Sequence, residues 1–212
     1  MPIEPERMFI LTVSSNIAID MKFLDEVLGY SRIEYLSVFI SFLYAFIVAE
    51  FFTGWARMLR SRNSLNFSFS HTFYTILFFW ILILNWYSLW TQMELLSKGF
   101  LYFILICIPI TLAYFAAVLM FPDLDKTTNL DSYFHENFKA IGLTTSIFIL
   151  LNLVIAIGVG SVEVLSATTL IRSLIGLLIL SISILNLRSL ILPVGILIAI
   201  GLIIGSIKMA SF

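Results

Sequence analysis

The chain has 212 residues, 60% of them hydrophobic and only 12% charged, with a formal net charge of -1 at pH 7 and a mean hydropathy of +1.05. Soluble domains are about half apolar and about a quarter charged, so this composition excludes a water-soluble globule, a disordered chain and a nucleic-acid module, and leaves an integral membrane protein. One cysteine excludes an internal disulfide and a thiolate metal cluster.

Residues 1–34 read as an N-terminal extension. Glu4 and Glu6 outnumber Arg7, and Met8 to Val13 is too short an apolar run for a cleavable secretory signal. Phe23, Leu24, Val27 and Leu28 form a stripe at helical spacing, which predicts an amphipathic interfacial helix over 21–30, with Met21 as an alternative start.

Residues 35–212 read as one transmembrane domain. A helix crossing the hydrocarbon needs about 20 mostly apolar residues, and six segments meet that requirement: 35–56, 72–90, 99–121, 141–160, 168–187 and 190–207. The expected fold is therefore an all-α polytopic bundle of six spans with short loops, which favour antiparallel neighbours. The longest connection, 122–140, opens with Pro122. Asp131 is expected to cap a short helix there, and Phe134, Phe138 and Ile141 on one face predict that it lies on the membrane surface.

Composition shifts along the bundle: 19 of 20 Phe, and every Trp and Tyr, precede residue 149. Gly201 and Gly205 form a small-xxx-small pair, read as packing within the bundle, with a homodimer face as the alternative. The twelve basic residues divide evenly between the two sides of six spans. Arg57, Arg60 and Arg62, in a loop without acids, then point to loops 57–71 and 122–140 in the cytoplasm and both termini outside.

Glu50 is the most informative residue, because an ionisable group within a span is costly and marks a functional-site hypothesis. Tyr114 on the third span lies at nearly the same depth, so the two form a candidate intramembrane polar site, extended by Asn85 and Asn152 on the second and fourth spans. Two readings compete for Glu50. One is a proton or cation relay; the other, favoured, is a structural carboxyl bonded to Tyr114 or turned toward Thr53 and Arg57 on its own helix. The amides are expected to make interhelical hydrogen bonds. Arg57, Arg60, Arg62 and His71 form a candidate contact for anionic lipid or a partner protein, although a topology anchor suffices to explain the arginines. His71 and His135 lack the spacing that preorganises a metal site, no cofactor motif is present, and no P-loop or nucleophile elbow appears.

The segments F-F-T-G-W-A-R-M-L-R-S-R at 51–62, S-H-T-F-Y-T-I-L-F-F-W-I-L-I-L-N-W-Y-S-L-W at 70–90, and L-A-Y-F-A-A-V-L-M-F-P followed by Y-F-H-E-N-F-K resemble a family of small six-span bacterial membrane proteins with no assigned activity. The likeness covers residues 35–140. Gly54, Arg57 and His71 match the family's Gly and Arg pair at the end of the first span and its His at the start of the second. The loop carrying His135, Glu136 and Lys139 is less basic than the family's. The resemblance implies a bacterial inner membrane and supplies no activity. The expected function is thus a non-catalytic membrane scaffold or partner subunit, contacting lipids and working as a homo-oligomer or with another membrane protein. The alternatives are a small channel or proton-coupled transporter using Glu50 and, more weakly, an intramembrane enzyme.

Overall fold

A computed structural model describes residues 32–89, 96, 99–123, 129–158, 160, 162–163 and 165–210. The expected interfacial helix over 21–30 lies outside the described residues. Among those described, the chain forms six helices and no strand: α1 (Arg32–Arg60), α2 (Phe69–Ser88), α3 (Phe100–Met120), α4 (Leu130–Gly158), α5 (Ala167–Leu185) and α6 (Arg188–Ala210). The protein is an all-helical bundle. By length and composition α1 to α4 can each cross a membrane; among the described residues α5 and α6 carry apolar stretches over Thr169–Leu185 and Arg188–Ile203.

The first helix extends past Ala56, where its apolar run ends, because Arg57 and Arg60 sit favourably at the negative end of a helix dipole. Its 29 residues make a rod about 44 Å long, longer than the roughly 30 Å of hydrocarbon. Ser68 starts α2 by accepting the His71 N–H, and Asn186, in the left-handed conformation at φ 51°, ends α5 and turns the chain directly into α6.

In the bundle, α1 packs on α3, α3 on α4, and α4 on α5, while α2 touches α1, α3, α4 and α6. The interior around α2 is filled by Phe51, Phe78, Phe134, Phe148, Leu82 and Met120, all fully buried. Phe51 makes ring contacts with Phe78, Phe79 and Phe121 at centroid distances of 5.3–5.9 Å. Part of the aromatic content thus packs the core, while other rings, among them Phe42, Phe46 and Phe69, are exposed on the outside of the bundle.

Three sequence expectations change here. The segment 130–140 is no surface helix: it is the first third of α4, continuous through Gly158, and Phe134, Phe138 and Ile141 are buried against the bundle. An apolar stripe fits a membrane surface and a neighbouring helix equally well; here α2 supplies the neighbour, through Tyr74 against Phe134 and Phe138. Its cap is Asn129, whose Oδ1 accepts the N–H groups of Asp131 and Ser132, and not Asp131 itself. Finally, a Cβ at Gly201 would meet nothing within 4 Å, so this glycine serves no close contact among the described residues. Helix approach through small residues occurs instead at Gly142, where a Cβ would lie 1.9 Å from Ser183 Oγ on α5.

Candidate functional site

Glu50 occupies the face of α1 that turns toward α3, one helical turn from Thr53. On α3, Thr111 and Tyr114 share a face by the same three-residue spacing. The two faces bound a cleft of about 480 Å³ lined also by Leu43, Phe46, Ala49 and Ile110. Such a volume falls in the range of small-molecule sites, roughly 300–1,000 Å³. Ala49, Phe46 and Tyr114 are exposed, so the cleft opens sideways from the bundle.

Within it, Arg57 Nη2 donates to Glu50 Oε1 at 3.2 Å. The arginine turns down along its own helix toward the carboxylate, two turns away, where a headgroup anchor would point outward. Thr111 donates to the Cys107 carbonyl at 3.0 Å. No hydrogen bond joins Tyr114 to Glu50 among the described residues. The groove thus combines one ion pair, three hydroxyls and apolar walls.

The other candidates do not converge on it. Asn85 accepts a hydrogen bond from the Tyr44 hydroxyl, linking α2 to α1. Asn152 donates to the Phe148 carbonyl of its own helix at 2.9 Å, which gives no interhelical bond through that group. Arg60 and Arg62 are exposed beyond the groove. His71 departs furthest from expectation. A lipid or partner contact beside the arginines would face outward, yet His71 is 0% exposed, with Nε2–H donating to the Met120 carbonyl at 2.7 Å. Its ring stands edge-on to Phe121 and Phe134. The cause is register: the Ser68 cap places position 71 in the first turn of α2, on the side facing α3 and α4.

Gly54 and His71, both carried by the family resemblance, meet the same ring. A Cβ at Gly54 would lie 2.3 Å from Phe121, whose ring also packs against His71. These residues therefore pack around one ring at an end of the bundle. His135 Nε2 stands 3.7 Å from Asp131 Oδ2, and among the described residues no three His, Cys, Asp or Glu side chains come together as metal ligands.

Sequence reasoning missed Tyr44 as the partner of Asn85 and Ser68 as the partner of Asp131. Tyr44 was open to the depth comparison that paired Glu50 with Tyr114; nothing in the sequence singled out Ser68. No family model matches this chain, and no curated protein or solved structure matches it either.

Proposed function

We propose that this chain is a non-catalytic membrane subunit that presents a laterally open polar groove to other molecules of the bilayer. One observation carries the reading: the ionisable group, Glu50, lines a cleft opening from the side of α1 and α3, while the interior around α2 is packed with aromatic and aliphatic side chains. Ionisable groups that conduct ions line a water-filled path through the protein, whereas this carboxylate lines a groove at the side of the bundle. Arg57 engages the Glu50 carboxylate, which supports a structured, charge-balanced surface. A bacterial inner-membrane setting with six crossings and both termini outside belongs to the same proposal, and rests on the family resemblance and the arginines after the first span.

The test is proton and potassium flux in proteoliposomes, comparing wild type with Glu50→Gln at matched reconstitution. The subunit reading expects both to match empty liposomes. Flux in wild type that disappears in Glu50→Gln would replace it with the transporter reading.

A further inference from the structure

We infer that the α1–α3 groove binds a neutral glycerolipid with a free hydroxyl, of the diacylglycerol class. This rests on the lateral-groove reading and adds the chemistry of the occupant.

Depth supplies the first argument. Glu50 lies seven residues before Arg57 and ten before Arg60, about 10 Å and about 15 Å along the helix axis. Arg60 and Arg62 mark the level of the charged headgroups. A phosphate drawn down to Glu50 would carry a full charge below that level, at a cost of several kcal/mol. A hydroxyl descends far more cheaply, provided that it finds hydrogen-bonding partners.

Those partners are present. Among the described residues Glu50 Oε2 accepts no hydrogen bond, and the Thr53 and Tyr114 hydroxyls make none, although all three residues line the cleft. A lipid hydroxyl can donate to the carboxylate and accept from Tyr114. Charge gives the third argument. Glu50 and Arg57 offset each other, so the groove has no net charge with which to select an ion. Leu43, Phe46, Ala49 and Ile110 form walls suited to acyl chains. A diacylglycerol satisfies all three conditions, because it is a lipid whose polar end is a single neutral alcohol.

The test is native mass spectrometry of the full chain in detergent micelles, with 1,2-dioleoylglycerol and dioleoylphosphatidylglycerol in equimolar competition. Three proteins are compared: wild type, Ala49→Trp and Tyr114→Phe. Ala49 is exposed on the groove wall, so the indole fills the cleft without entering the core. Wild type is expected to retain the diacylglycerol in preference by about tenfold. Ala49→Trp is expected to lose that preference, and Tyr114→Phe to weaken it about threefold to tenfold. No diacylglycerol adduct, a preference for the phospholipid, or equal retention by wild type and Ala49→Trp would each overturn the inference. A missing adduct with no ion flux removes the lipid and leaves the subunit reading standing; flux dependent on Glu50 removes the subunit reading itself.

Discussion

The Ser68 hydroxyl donates a 2.7 Å hydrogen bond to Asp131 Oδ1 across 63 residues of sequence, while accepting the His71 N–H at 3.2 Å. One side chain thus caps α2 and ties it to the start of α4. The neighbouring backbone repeats the tie, with Leu130 N–H donating to the Asn66 carbonyl at 3.1 Å. Two helix N-termini, each carrying partial positive charge, are brought together beside one carboxylate.

Ser68→Ala removes the cap and the bond to Asp131 together, and leaves both the His71 N–H and the carboxylate without that partner. The expected loss is about 1–2 kcal/mol, read as a lower midpoint in denaturant unfolding in detergent. Asp131→Ala keeps the α2 cap and is expected to cost less. An equal or larger loss in Asp131→Ala would place the stabilisation in the carboxylate.

Gly142 marks a tight contact with α5, where an added Cβ would lie 1.9 Å from Ser183 Oγ. Gly142→Ala is expected to destabilise by about 1–3 kcal/mol through overpacking. Adding Ser183→Ala removes the oxygen that the new methyl would meet, so the double variant should recover part of the loss. A thermal-shift series over the two single variants and the double variant measures this coupling; strict additivity would contradict the contact.

Thr145 is 6% exposed, its hydroxyl has no hydrogen-bond partner among the described residues, and it borders a gap of about 20 Å³. A buried hydroxyl without a partner is a cost that an isosteric methyl avoids. Thr145→Val is therefore expected to raise stability by up to about 1 kcal/mol, seen as a higher melting temperature. A fall would mean that the hydroxyl holds a water in that gap.

Tyr44 and Asn85 link α1 to α2. Hydrogen bonds between membrane helices contribute about 0.6 kcal/mol each, and Tyr44→Phe is expected to lose that amount in unfolding measurements without altering ion flux or lipid retention. Altered flux in this variant would connect Asn85 to a path that the groove reading does not contain.

Much of this architecture was legible because uncharged runs of about 20 residues have few fates: each of the six helices overlaps a segment that composition marked. The start of α4 differs from the expected surface helix for a physical reason. Asp131, Glu136 and Lys139 are exposed at the bundle end, so their polarity resembles that of a surface helix, while Phe134 and Phe138 point the other way into the core. Glu50 and Tyr114 were matched by depth alone, and depth along straight helices is nearly linear in residue number. What depth cannot give is rotation about the helix axis. That is why His71 was expected at a surface and lies buried, and why Arg57, one of several positions open to Glu50, could not be singled out as its partner.

The central claim is that the Glu50 groove opens toward lipid. Its most direct test is the collisional accessibility of a nitroxide at Ala49→Cys, in a Cys107→Ala background reconstituted in bilayers. The account predicts strong relaxation by oxygen, which partitions into lipid, and weak relaxation by a water-soluble nickel chelate. Strong relaxation by the chelate, matching a label at the exposed Asn63 in the turn after α1, would show an aqueous cavity at Glu50 and contradict the account.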